Sequence, residues 1–80
     1  MVNAGIFSGD LLIVDRAIEA ADGNIVVAVV SGEFTVKRLR KTRTRLSLCA
    51  ENPKYKPVEI TPDMDFEIWG VVVHSIKSFL

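Results

Sequence analysis

The sequence predicts one small all-β domain. Its 80 residues are enough for a single domain, and 49% of them are hydrophobic while 25% are charged, which is a globular composition. Glycine and proline divide the chain into short runs rich in β-branched residues, and no stretch shows a well-capped helical period. Six short strands joined by tight turns predict a sandwich or a small barrel.

The first two predicted strands are apolar runs. Residues 11–14, Leu-Leu-Ile-Val, form a four-residue run of the kind typical of a short buried strand. Asp22-Gly23 marks a turn, because glycine accepts a positive φ without steric cost. Residues 25–30 follow and are apolar without alternation, which predicts a strand buried on both faces.

Residues 33–40 are predicted to return as the second strand of a hairpin. The reason is the two-residue, glycine-containing loop Ser31-Gly32 between the two strand-like runs. Because side chains alternate along a strand, Lys37 shares a face with Leu39, and Phe34 lies on the opposite face. We expect Phe34 to be a core residue.

Three further strands are predicted in the second half of the chain. Residues 44–50 alternate in polarity, and residues 58–60 form a short strand between prolines. Residues 65–76 close the chain as a long strand that is broken or bulged at Gly70. Trp69 in this strand is expected to fill the core or an interface.

Composition and motifs exclude several classes of site. The single cysteine, Cys49, rules out an internal disulfide and a multi-cysteine zinc site, and a reducing cytoplasm is the expected compartment. No apolar run reaches the roughly 18 residues of a membrane helix. No glycine-rich phosphate loop or G-x-S-x-G motif is present, so we predict no cofactor and no metal. His74 and Cys49 are interpreted as packed structural residues.

Charge is concentrated in one segment. Ten Lys and Arg balance ten Asp and Glu, yet residues 37–45 hold six bases and no acid. This segment supports an alternative from another class, a small nucleic-acid-binding β-barrel. Single-strand binders interleave aromatic side chains with such a groove, and none occurs here. We therefore interpret the segment as a solvated hairpin tip and expect no direct DNA binding.

Lys37 is the candidate catalytic residue. An amine among apolar side chains loses solvation of its charged form, and a neutral amine can act as a general base on a serine hydroxyl. Composition and spacing alone favour another interpretation, in which Lys37 is an edge-strand or snorkelling lysine that begins the basic run.

Five motifs occur in order along nearly the whole chain. They are Met1-x-x-Ala-Gly-Ile6-x-x-Gly-Asp10-Leu-Leu-Ile-Val-Asp15, Asp22-Gly23-Asn24-Ile-Val-Val, Gly32-Glu-Phe-Thr-Val-Lys37-Arg-Leu39, Glu51-Asn-Pro-Lys-Tyr-Lys-Pro57 and Ile68-Trp-Gly-Val-Val-Val-His74. In this order and spacing they resemble the C-terminal domain of the LexA/UmuD family, the S24-type Ser-Lys self-cleaving proteins of the bacterial SOS response.

The resemblance implies a fold and a catalytic residue. The fold is the irregular, curled, barrel-like sheet of the LexA C-terminal or signal-peptidase type, with residues 1–80 as a partial peptidase domain. Lys37 matches the family's catalytic lysine, which deprotonates the nucleophilic serine. In the family that serine directly precedes the methionine that matches Met1, and nothing precedes Met1 here. Ser8 and the other serines do not match the motif. We therefore expect a fragment, truncated at its N-terminus and inactive alone, of a parent hydrolase.

The resemblance also implies a biological role and partners. Residues 9–39 are more similar to the UmuD branch, which cuts its own arm with the help of a RecA–single-strand DNA filament. The trimmed protein then joins UmuC in the translesion DNA polymerase V of SOS mutagenesis. The alternative is the dimerisation and self-cleavage domain of a LexA-like or phage-type repressor. In both cases we expect a cytoplasmic homodimer, formed through residues 71–76, with no membrane contact.

Overall fold

The fold is a six-stranded antiparallel sheet. The computed structural model describes residues 10–52 and 54–77, and these residues form no helix. The strands are β1 (Leu11–Asp15), β2 (Ile25–Val30), β3 (Glu33–Lys41), β4 (Leu46–Cys49), β5 (Val58–Glu59) and β6 (Phe66–Ile76). The all-β prediction and its six strands are confirmed, with end points that differ by a few residues.

The strand order places the last strand inside the sheet. The order is β1-β6-β2-β3-β4-β5, and every neighbouring pair is antiparallel. Among the described residues, β1 and β5 are therefore the two edges, and no ladder joins them. Closure into a barrel requires such a ladder between the first and last strands, so the sheet stays open. This single open sheet is consistent with the irregular, barrel-like sheet that the family resemblance implies, and it is not the two-sheet sandwich that the strand pattern also allowed.

The hairpin between β2 and β3 forms at the predicted turn. Ser31 and Gly32 have φ of 50° and 81°, and Val30 pairs with Glu33 on either side of them. Two consecutive residues with positive φ are characteristic of the primed turns that match the twist of antiparallel strands. The turn therefore sets the register of β3 against β2.

The core lies on one face of the sheet. Leu39 and Leu48 are opposite one another across β3 and β4, and Val26 is opposite Val71 across β2 and β6. The buried hydrophobic residues are Val26, Ala28, Leu39, Leu48 and Val71. Only alternate residues of β2 are fully buried, so the prediction of equal burial on both faces is corrected: the second face of β2 is half-buried.

Phe34 is not a core residue. It is 66% exposed, because it lies on the face of β3 opposite the core and next to the hairpin turn. Its ring meets the edge of Trp69, with the ring centroids 6.1 Å apart and the planes at 83°. Sequence alternation placed Phe34 on the correct face, but that face is the more open one.

Gly70 allows β1 to lie close against β6. The β2–β6 register shifts between Val27 and Ala28, which pair with Gly70 and Ile68, so β6 is bulged as predicted. A Cβ at Gly70 would overlap Cγ1 of Val14 and lie 3.3 Å from the carbonyl oxygen of Asp15. Because Gly70 has no side chain, the end of β1 can pack directly against β6 at this position.

Candidate active site

Lys37 lies in the middle of β3 on the face that carries the core. It pairs directly with Val26 of β2, and Val26 pairs with Val71 of β6. Directly opposed residues in antiparallel strands project to the same face. Val26 is 0% and Val71 is 4% exposed, whereas Lys37 is half-buried. The predicted face of Lys37 is confirmed, and its aliphatic stem lies in an apolar row that spans three strands.

Among the described residues, β3 has no ladder partner beside Lys37 on its β4 side. The β3–β4 ladder ends at the pair Arg38–Cys49, so Lys37 has no partner in β4. The lysine is thus held by apolar neighbours on the β2 side and lies at the rim of the core on the β4 side. Among the described residues, Lys37 thus combines a place on the core face with the absence of a β4 partner, an arrangement that a general base can use.

Arg38, the residue after Lys37, makes two side-chain hydrogen bonds. Its Nε donates to Oε1 of Glu51, and its Nη1 donates to the carbonyl oxygen of Gly23 at 2.7 Å. The side chains of Arg38 and Glu51 are 29% and 16% exposed. Sequence reasoning counted Arg38 only as part of the basic run. The one sequence signal for this pair is that Glu51 is the first acid after the six bases of residues 37–45. Its pairing with Arg38 depends on where the chain runs after β4.

The basic run of residues 37–45 is divided among different environments. Lys37 lies on the core face, Arg38 is paired, and Arg45 Nε lies 3.9 Å from Oε1 of Glu59. The exposed bases at the β3–β4 connection are Arg40, Lys41, Arg43 and Arg45. The six bases therefore do not form one continuous surface.

The connection between β3 and β4 is a tight, hydrogen-bonded turn. The backbone N–H of Thr42 donates to the carbonyl oxygen of Arg45 at 2.8 Å, and Oγ1 of Thr42 accepts from the N–H of Arg45 at 3.0 Å. Two open cavities of about 200 and 310 Å³ flank Arg45. Their wide openings to solvent fit the interpretation of a solvated hairpin tip.

His74, Cys49 and Trp69 lie elsewhere in the sheet, and each has a different environment. His74 pairs with Ile13 and is exposed, since β2 does not extend alongside this end of β6; its expected packing is corrected. Cys49 is a half-buried free thiol. Trp69 stacks under Arg16, whose Cζ lies 4.3 Å from the ring centroid and whose Nε donates to the Trp69 carbonyl at 2.9 Å.

Metal-binding and membrane features are not found in the part of the chain that the structure describes. Residues 10–52 and 54–77 contain no group of three or more His, Cys, Asp or Glu able to hold a metal ion. The same residues include no helix long and apolar enough to cross a membrane. Met1 and Ser8, to which the nucleophile motif was compared, lie outside the described residues.

Several known proteins are similar in sequence to this chain over most of its length. The LexA repressor of Stenotrophomonas maltophilia is 48% identical over 71 residues, which are 89% of this chain and 34% of that protein. LexA repressor 2 of Pseudomonas syringae pv. tomato is 49% identical over 77 residues, 96% of this chain and 38% of that protein. The LexA repressor of Dechloromonas aromatica is 45% identical over 79 residues, 98% of this chain and 39% of that protein.

These relatives are much longer than this chain, which spans a little over a third of their length. All three are named LexA repressors, so the expected closer likeness to UmuD is not confirmed. The family model described as Peptidase S24-like matches residues 1–73, which is most of the sequence. The chain therefore belongs to the Peptidase S24-like family.

Proposed function

We propose that this chain is part of the self-cleaving Ser-Lys peptidase domain of a LexA-like repressor, with Lys37 as the general base. The observation that carries the proposal is the place of Lys37, opposite the fully buried Val26 and at the open end of the β3–β4 ladder. The family match and the names of the relatives support the same reading. The parent protein is then a cytoplasmic SOS-response regulator that represses until it cuts itself.

The proposed chemistry uses Lys37 twice. The neutral amine takes the proton of the serine hydroxyl as the serine oxygen attacks the carbonyl carbon of the cleavage-site peptide bond. Backbone N–H groups stabilise the negative charge on the carbonyl oxygen. The lysine then gives its proton to the leaving amine, and the C–N bond breaks. In the second half a water molecule, deprotonated by the same amine, hydrolyses the acyl-serine and restores the hydroxyl.

The serine in this scheme comes from the segment that the family places directly before the methionine matching Met1. No serine of this chain occupies that position. Activity requires a protein that also contains the serine and the cleavage segment.

A full-length test protein provides the experiment. Residues 1–80 replace the matching region of LexA repressor 2 of Pseudomonas syringae, which supplies the sequence before the match. We expect this protein to cleave itself at alkaline pH and the Lys37→Ala variant not to cleave. Lys41→Ala is the matched control, because Lys41 lies on the same face of the same strand but is exposed. Equal cleavage by Lys37→Ala and Lys41→Ala would refute the proposal.

A second candidate function uses the same self-cleavage chemistry but assigns the cleaved protein a different biological role. Residues 9–39 resemble the UmuD branch, in which the cleaved dimer joins a UmuC-like subunit in translesion synthesis. The parent gene distinguishes the two readings: a helix-turn-helix domain before this chain favours the repressor, and a short arm favours the UmuD role. In both readings a RecA–single-strand DNA filament accelerates cleavage, which is measured by adding the filament to the parent protein.

Self-association is part of both candidates. Residues 72–76 of β6 pair with β1 on one side and extend beyond the β2 ladder on the other, among the residues described. This leaves one edge of the strand for a second copy. Sedimentation of the parent protein is expected to show a dimer, and a monomer at every concentration would contradict this part of the proposal.

A further inference from the structure

Arg38 and Glu51 form a part-buried ion pair one residue from Lys37. The guanidinium donates to Glu51 through Nε and to the carbonyl oxygen of Gly23 through Nη1, the latter at 2.7 Å. Gly23 lies in the turn before β2, and Glu51 lies in the connection after β4. One side chain of β3 therefore joins three segments of the chain.

The position of this pair in the sheet distinguishes it from an ordinary surface contact. Backbone pairing between β3 and β4 stops at Arg38 and Cys49, immediately before Lys37. Beyond that pair, β4 provides no ladder hydrogen bonds to hold β3 on this side. The contact from Arg38 to Glu51 ties the strand to the departing chain at the residue where the ladder ends.

We propose that Arg38 and Glu51 are positioning residues for Lys37, and this inference rests on the proposed function. They fix the β3 backbone so that the amine stays within reach of the serine hydroxyl. Arg38 does not reach the reacting atoms, because adjacent residues of a strand project to opposite faces, and Glu51 acts through its contact with Arg38. A shift of about 1 Å in a catalytic group can lower a rate on the order of 100-fold, so a small displacement is measurable.

The chain contains a matched pair for comparison. Arg45 and Glu59 also form an ion pair, but Nε of Arg45 and Oε1 of Glu59 are 3.9 Å apart and the two side chains are 75% and 58% exposed. Exposed pairs of this kind contribute little to stability. Removing one partner of a part-buried pair costs more than removing one partner of an exposed pair. Comparing the self-cleavage rates of the same substitutions in the two pairs therefore separates a positioning role from a general effect of losing one charge.

The test measures self-cleavage of the full-length protein over a range of pH. We expect Glu51→Gln and Arg38→Gln to lower the rate at least tenfold, and by the same factor at every pH of the range. The charge-swapped variant, Arg38→Glu with Glu51→Arg, is expected to recover part of that loss. Arg45→Gln and Glu59→Gln are expected to stay within about twofold of the wild type.

The outcomes separate this inference from the function on which it rests. If Lys37→Ala cleaves like the wild type, the proposed function is wrong. If Lys37→Ala is inactive but Glu51→Gln cleaves like Glu59→Gln, only the positioning role is wrong. Thermal unfolding of each variant shows whether it is folded at the assay temperature. If Arg38→Gln is unfolded at the assay temperature, the self-cleavage rates of Glu51→Gln and of the charge-swapped variant test the proposal instead. A charge-swapped variant that is folded but does not recover any of the cleavage rate would contradict the positioning role.

Discussion

Lys37 lies directly opposite Val26, a fully buried residue, on the face of the sheet that carries the core. Val26 is in turn opposite Val71, so the stem of the lysine continues an apolar row across three strands. The lysine itself is half-buried at the place where the β3–β4 ladder ends. Among the described residues, Lys37 therefore lies on the core face of the sheet without a register partner in β4.

Gly70 is expected to be intolerant of a side chain. In Gly70→Ala the new Cβ overlaps Cγ1 of Val14, and the repacking should cost about 1–3 kcal/mol of the free energy of unfolding. Val14→Ala removes the overlapping atom, so the double variant should lose less than the sum of the two single losses. Urea unfolding of all three variants checks this, and additive losses would show that the contact does not limit the site.

Leu39 should carry a large share of the stability. It is 0% exposed at the centre of the core, and Leu39→Ala is expected to cost about 2–5 kcal/mol. Leu11→Ala is the control, since Leu11 is 67% exposed and its truncation should change stability by no more than about 0.5 kcal/mol. Denaturant midpoints compare the two, and equal losses would contradict the assigned core.

Ser31 is strained in the hairpin turn, and relieving that strain should stabilise the sheet. Its φ of 50° is unfavourable for most side chains but acceptable to asparagine, and Asn-Gly is the preferred pair for a primed two-residue turn. Ser31→Asn is expected to raise the unfolding free energy by about 0.5 kcal/mol. Ser31→Ala, which lacks this preference, should not. A thermal scan that ranks alanine above asparagine would contradict the turn assignment.

The exposed bases at the β3–β4 connection should not bind nucleic acid at physiological salt. The basic run is split, with Arg38 paired to Glu51 and Lys37 on the core face, and few phosphate contacts give weak, salt-sensitive binding. Fluorescence anisotropy with labelled single-strand and duplex DNA tests the 80-residue chain. Salt-dependent binding that disappears in Arg40→Glu with Arg43→Glu would revive the nucleic-acid alternative.

Local signals in the sequence were sufficient for the strands but not for their order. Ser31-Gly32 between two apolar runs predicted the β2–β3 hairpin, because its turn requirement is local. The insertion of β6 between β1 and β2 depends on contacts between distant segments, which no local pattern encodes. Phe34 shows the same limit: alternation gave its face, but not which face would be covered.

The sequence predicted the position of Lys37 in the candidate site but not the polar contact beside it. Alternation placed Lys37 beside Leu39 on one face, and the likeness to a known family gave the lysine its role. The contact from Arg38 to Glu51 was missed, because it joins a strand to the connection that follows its neighbour. Its partners are 13 residues apart in sequence, and only the β3–β4 register brings them together.

The most direct test of Lys37 as the base is the pH dependence of self-cleavage with and without this residue. If Lys37 is the base, the full-length protein should cleave itself faster at alkaline pH than at neutral pH. Lys37→Ala should show no such rise and almost no cleavage, with an unfolding transition still above the assay temperature. A folded Lys37→Ala protein that cleaves with the wild-type pH profile would contradict the assignment of Lys37 as the base.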